Sequence, residues 1–201
     1  MTRLFRRLVG VLLALASWPA AAQWSVSELM TALAARGNAD ATFTERRYVP
    51  VLDTPVQSSG TLRFIAPDRL EKHTLQPRAE SLVLAGDQLT LQQGQRTRSL
   101  ALNDLPDSGL AIASLRGTMA GDLAALRRGW IVTLHGERRI WTLSLTPVSQ
   151  AVAQYIEAEL IEGRRDQIDR IEIRQADGVR SVMQIVPAPA PAAKPAPDKP
   201  R

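Results

Sequence analysis

Cysteine is absent from the 201 residues. This excludes disulfides, thiolate-held zinc, iron–sulfur clusters, a cysteine nucleophile and an N-terminal cysteine for lipid attachment. Aromatic side chains make up only 4% of the chain and histidine occurs twice. His73 and His135 each sit in strand-like sequence with no His-x-x-x-His or Glu-bearing zinc pattern around them, so no metal is expected and both read as solvated or satisfied strand positions. No Gly-x-Ser-x-Gly elbow, Walker loop or dinucleotide glycine fingerprint occurs. Ser58-Ser59-Gly60 and Ser108-Gly109 read as turns. With no nucleophile and base pair in view, neither an enzyme nor a cofactor is expected.

An excess of one charge is also lacking. Basic side chains number 25 and acidic ones 20, a formal charge of +5, and three of the arginines fall within the first seven positions. Arg127-Arg128, Arg138-Arg139 and Arg164-Arg165 lie beside glycines or turns with Glu137, Glu162 and Asp166 among them, so no nucleic-acid groove is expected. Glu157 and Glu159 stand two apart in a strand-like segment and read as neighbours on one solvated, charged sheet face.

What is present begins with an address. Arg3, Arg6 and Arg7 precede an apolar run, Leu8 to Trp18, that ends in Pro19-Ala20-Ala21-Ala22 before Gln23. A basic start, a run too short to span about 30 Å of hydrocarbon, and small residues ahead of a cut fit a secretory signal over residues 1–22. The mature chain is then expected outside the cytoplasm, in the periplasm. At the other end, residues 187–201 carry six prolines in fifteen positions and no aromatic residue, a composition that favours extended, unpacked chain. One folded unit, residues 23–186, is expected between them.

That unit opens with Ser25-Val26-Ser27-Glu28, a capping box, with Trp24 and Leu29 at staple positions. Val26, Leu29, Met30 and Leu33 recur at helical spacing and Gly37 closes the helix. From Ala41 the hydrophobic period falls from about 3.6 to 2. Strand-like segments follow at Thr42 to Val49, Thr61 to Ala66, Arg69 to Leu75, Ser81 to Ala85, Gln88 to Leu91 and Thr97 to Leu102. Between Asn103 and Gly129 the alternation stops, and Leu110, Ile112, Leu115, Met119, Leu123 and Leu126 lie among Pro106, Gly109, Gly117 and Gly121. Short helices with joints are expected there. Strand signals resume at Trp130 to Leu134, Arg139 to Leu145, Tyr155 to Ile161, Ile168 to Arg174 and Val179 to Val186, with Asp177-Gly178 as a hairpin turn. The expectation is an antiparallel meander of about nine strands with an N-terminal helix and a helical interruption.

Several stretches carry a family pattern: Phe43-Thr44-Glu45-Arg46; Ser59-Gly60-Thr61-Leu62-Arg63-Phe64 followed by Ala66-Pro67-Asp68-Arg69-Leu70; and Leu82-Val83-Leu84-Ala85-Gly86-Asp87-Gln88-Leu89-Thr90-Leu91. Their order resembles the LolA family of periplasmic lipoprotein carriers. The resemblance implies an α+β, mainly β fold: a strongly curved antiparallel sheet forming an unclosed barrel, its mouth covered by short helices and its apolar interior open to acyl chains. It also implies a donor complex in the inner membrane, an acceptor at the outer membrane, and an acylated lipoprotein or other long-chain lipid as cargo. Two departures stand out. The family commonly places a basic residue immediately before the turn proline, where it ties the lid, and here that residue is Ala66. The family's inner surface is rich in aromatics, which leucine, isoleucine and valine replace in this chain.

On this reading the cargo is held by Leu62, Phe64, Leu82, Leu84, Trp141 and Leu143 on the sheet. Leu110, Ile112, Leu115, Met119 and Leu123 form the lid, and Arg63 or Arg69 holds it. A monomer is expected. The alternative is a periplasmic sensor or adaptor that uses the same fold to bind a protein partner.

Overall fold

The computed structural model describes residues 24–105 and 108–188. The expected signal segment, residues 1–22, and nearly all of the expected proline-rich tail lie outside the described residues.

Helix α1 (Val26–Arg36) starts as the sequence dictates. The Glu28 amide donates to Ser25 Oγ at 3.2 Å and the Ser25 amide donates to Glu28 Oε2 at 2.9 Å. Its apolar stripe of Leu29, Met30 and Leu33 is buried, and Gly37 caps it with a φ of 65°. Eleven strands follow: β1 (Ala39–Tyr48), β2 (Val56–Ile65), β3 (Arg69–Gln76), β4 (Glu80–Ala85), β5 (Gln88–Gln93), β6 (Arg96–Ala101), β7 (Trp130–Glu137), β8 (Ile140–Pro147), β9 (Ile156–Arg164), β10 (Gln167–Gln175) and β11 (Arg180–Pro187). Each alternating segment forms its own strand, so the count exceeds the nine expected. Strand β11 also runs on through Pro187, and the Ala188 amide donates to the Asp40 carbonyl at 2.8 Å.

All eleven strands join one antiparallel sheet in the order β6-β5-β4-β3-β2-β1-β11-β10-β9-β8-β7. Two hairpin meanders meet at its centre, where β1 pairs with β11 and Phe43 stands opposite Ile185. The edges are β6 and β7, and the sheet is not closed between them. The chain links those edges through a 3-10 turn (Leu102–Asp104), α2 (Ser108–Ala120) and α3 (Leu123–Gly129). Gly121, with a φ of 67°, makes the joint between α2 and α3; any Cβ there would collide with the Met30 carbonyl of α1. A four-residue helix, α4 (Gln150–Ala153), between β8 and β9 has no counterpart in the sequence expectation.

Period-2 burial sorts the side chains. On β8, Trp141, Leu143 and Leu145 face inward and are at most 1% exposed; on β2, Leu62 and Phe64 also face inward and are buried. The buried apolar side chains include two clusters. The larger joins Leu29, Met30 and Leu33 of α1 to Leu126, Trp130, Trp141, Leu143, Leu145, Ile156 and Ile161, and the smaller joins Leu70, Leu84, Leu89 and Leu102. Leu115 and Met119 of α2 pack against both. At about 1.5 to 3 kcal/mol per buried large apolar side chain, these rows carry most of the stability.

One alternation breaks. On β9, Ile156 stands opposite Gln175 but Ala158 opposite Arg174, so Glu157 is an extra residue in a bulge. Glu157 is thereby turned out to solvent while Glu159 is fully buried. The two carboxylates do not share a solvated face as the sequence suggested, because the inserted residue moves one of them across the sheet.

Candidate functional site

The concave side of the sheet is not filled along its whole length. Beneath α2 lies a cavity of about 450 Å³. Its sheet walls are Leu62 of β2, Leu70 of β3, Leu82 of β4, Leu89 and Leu91 of β5, Ile171 and Ile173 of β10 and Met183 of β11. Ala111, Ile112 and Leu115 of α2 form its roof, and Glu159 borders it from β9. The same cavity reaches Glu45 and Arg47 of β1, Lys72 of β3 and Glu80 of β4, four residues that also line a polar outer recess with Arg78 and Gln93. These charged side chains form the mouth. Lys72 Nζ donates to Glu45 Oε2 at 2.6 Å and stands 4.9 Å from the centre of the Phe43 ring. At the opposite end of the sheet, Leu33, Phe64, Met119, Ile168 and Ile185 surround a narrow apolar recess of about 50 Å³. Leu62 and Leu115 line both spaces.

The expected cargo-holding residues therefore separate. Leu62, Leu82, Ile112 and Leu115 line the cavity, and Phe64 and Met119 line the narrow recess. Leu84, Trp141 and Leu143 are packed solid in the two clusters instead, and Leu110 and Leu123 pack against the larger one. Trp141 is further fixed by its Nε1, which donates to the Arg165 carbonyl at 3.0 Å.

Arg63 and Arg69 do not reach the helices. Each follows or precedes an inward leucine, so each points outward: Arg63 Nε donates to Asp40 Oδ1 at 2.6 Å and Arg69 Nε to Glu71 Oε1 at 2.6 Å. The Arg69 bond, aided by His73, holds the Glu71 carboxyl below its ordinary value. Arg116 ties α2 to the β4–β5 turn of the sheet. Its Nη1 donates to the Gly86 carbonyl in the β4–β5 turn, and its Nη2 lies 3.7 Å from Asp87 Oδ1. A signal for it was present in the sequence, since Arg116 is the single charged residue in the α2 segment SGLAIASLRGTMA. His73 approaches Glu71 Oε2 at 3.4 Å on β3, and His135 is exposed on β7.

Glu159 is the unusual group. Its side chain is fully buried, and among the described residues no lysine, arginine or histidine bonds to it. Burial pushes its carboxyl up to about 8. Ser114 Oγ lies 2.7 Å from the Ala111 carbonyl and in a short hydrogen bond with Glu159 Oε2. A serine hydroxyl has one proton and a backbone carbonyl can only accept. The serine proton therefore goes to Ala111, and the bond to Glu159 uses a proton held on Oε2 of the neutral acid. Oε1 is then a carbonyl oxygen, and it is buried with no hydrogen-bond partner among the described residues.

Comparison with curated proteins finds no match. Among solved structures the chain is similar to a LolA superfamily protein from Nitrosomonas europaea, at 12% identity and a TM-score of 0.46 over 80% of this chain and 90% of that one. It is similar also to the MucA/MucB complex structure of Pseudomonas aeruginosa, at 16% identity and a TM-score of 0.45 over 84% and 59%. A putative outer membrane lipoprotein-sorting protein domain from Vibrio parahaemolyticus follows at 12% identity and a TM-score of 0.43, over 79% and 89%. The family model described as outer membrane lipoprotein carrier protein LolA-like matches residues 18–197. With nearly the whole chain matched and an unclosed, helix-covered antiparallel sheet in place, the protein belongs to the LolA-like outer membrane lipoprotein carrier family.

Proposed function

We propose that the protein is a periplasmic carrier that binds the acyl chain of a lipoprotein, or of a related long-chain lipid, in the cavity beneath α2 and moves it through water towards the outer membrane. The observation that carries this reading is the cavity itself, an apolar space of about 450 Å³ with walls from both sheet and helix and a charged mouth. Its size falls in the range of small-molecule sites. Each methylene removed from water contributes about 0.8 kcal/mol, so ten of them contribute roughly 8 kcal/mol before ordering costs. Such a ligand needs an offset to leave. Ile112 and Leu115 of α2 supply one, because they lose their apolar contacts when the helix lifts over a cargo and regain them when the cavity empties.

In this reading residues 1–22 direct export and are cleaved before Gln23, a donor in the inner membrane loads the cavity, and an acceptor at the outer membrane empties it. The chain acts by binding and catalyses no reaction. Expression in a bacterial periplasm, purification without detergent and mass spectrometry of the co-purifying molecules tests it. A bound diacyl or triacyl species, lost on substituting Leu82 by tryptophan, supports the carrier. Recovery of a protein or peptide in stoichiometric amount, with no lipid, would assign the fold to an adaptor instead.

A further inference from the structure

We propose that Glu159 recognises the polar end of the cargo, its Oε1 accepting a hydrogen bond from an N–H or O–H group carried beside the acyl chain. Acyl amides and alcohols would then be taken in preference to esters of the same length. The inference rests on the carrier reading above and adds to it the chemistry by which the cavity selects.

Position in the sheet places the carboxyl at the correct depth. Through the strand pairing, Glu159 stands opposite Ile173, Ile173 opposite Ser181, and Ser181 opposite Arg47. Glu159 thus shares one cross-strand row with Arg47, which lines the mouth. Leu62, opposite Ala41, lies six residues further along β1, about 20 Å away at the rise of an extended strand. A cargo whose polar group meets Glu159 therefore sends its hydrocarbon down past Met183 and Leu62 towards Phe64 and Met119. The row's other neighbour of Glu159 is Leu145, fully buried in the larger cluster. Glu159 consequently marks the seam between solid core and open cavity.

Chemistry fixes what the partner must be. Ser114 occupies the proton-bearing oxygen, and the remaining oxygen of the neutral acid has only lone pairs. A buried acceptor without a partner is rare in folded proteins and calls for an explanation. A ligand N–H or O–H satisfies it, whereas an ester, which has only acceptors, leaves Oε1 unpaired.

The test measures displacement of N-phenyl-1-naphthylamine from the purified full-length mature protein by N-methylhexadecanamide, 1-hexadecanol and methyl hexadecanoate. Wild type should bind the amide and the alcohol about tenfold more tightly than the ester, the penalty of one unpaired buried group. Glu159→Leu should abolish that difference, and Glu159→Gln, which keeps the carbonyl oxygen and offers N–H to Ser114, should restore it. Equal affinity for amide and ester in wild type, or a preference that survives in Glu159→Leu, overturns the proposal and leaves the carrier reading standing. Failure of all three to displace the dye overturns both. Should Glu159→Leu not fold, infrared difference spectra of wild type decide: the carboxylic C=O stretch must move to lower frequency with the amide and stay in place with the ester, and any other pattern overturns the assignment.

Discussion

Glu159 and Glu172 lie on neighbouring strands one register step apart, with Glu159 opposite Ile173 and Glu172 opposite Leu160, and they face opposite sides of the sheet. Both are almost fully buried, yet their charge states diverge. Burial alone would raise Glu172, but Arg174 Nε at 2.8 Å, together with Arg170, more than cancels that and holds its carboxyl below the ordinary value. Glu159 has no cation beside it among the described residues, and burial raises it. The same strand pair thus keeps one glutamate ionised under an arginine cover and one neutral against the cavity.

This contrast sets a pH dependence of stability. The Glu159 carboxyl titrates near 8 in the fold and near 4.5 when exposed, so the native state holds an extra proton between those values. Its stabilising contribution is complete below about pH 4.5 and is lost as pH rises through about 8, on the order of 5 kcal/mol in all. Glu172 works in the other direction, stabilising above its ordinary titration range and losing that contribution in acid. Urea unfolding of the mature protein at pH 5, 7 and 9 should show wild type weakening towards pH 9. Glu159→Gln should flatten that decline, and an unchanged slope would show that the carboxyl does not titrate as described.

Arg116 should govern the mobility of α2. Removing its bond to the Gly86 carbonyl by Arg116→Met should cost about 1 to 2 kcal/mol and concentrate the effect in one helix. Hydrogen exchange of residues 109–120 should speed up while β8 and β9 keep their protection. Asp87→Asn should change little, because Asp87 is 82% exposed and its contact with Arg116 is screened.

Leu82 and Leu84 point the same way from β4 but meet different surroundings, and they should respond differently. Leu84 is fully buried in the smaller cluster, so Leu84→Ala should destabilise by about 2 to 5 kcal/mol. Leu82 borders open space, so Leu82→Trp should fill the cavity, reduce dye binding several-fold and leave the melting temperature within a few degrees. Thermal melts and dye titrations on the two variants separate the outcomes.

Leu115 is common to the cavity and the narrow recess. Leu115→Asp places a carboxylate in an apolar wall and should weaken binding of a fluorescent fatty acid by tenfold or more, since a buried charge without a partner is costly. Binding at wild-type strength by the folded variant would remove α2 from the site.

Most of the architecture was legible because alternation and turn chemistry are local. The capping box at Ser25, the turn at Gly86-Asp87 and the apolar rows of β2 and β8 could each be read from a few neighbouring residues. The site was less legible because a cavity is a property of what does not meet. Leu82 and Leu84 share a face and a residue type, and only the placement of α2 leaves one beside open space. The reading of Glu157 and Glu159 failed for a different reason: a bulge shifts phase without changing composition. Arg116 stood out as the one charged residue of the α2 segment, but its hydrogen-bond partner could not be read, because a backbone carbonyl has no signature in sequence.

The pairing of β1 with β11 makes the first and last strands of the sheet immediate neighbours at its centre. During synthesis the two meanders can form in turn, but the seam that unites them waits for the final strand to emerge. The contacts across it span nearly the full length of the domain, which places the protein among slow-folding topologies. A chain truncated before Arg180 would present two sheet edges ready to recruit other molecules. Emergence of β11 is thus a structural checkpoint, and union of the two halves of the sheet follows from its eight residues.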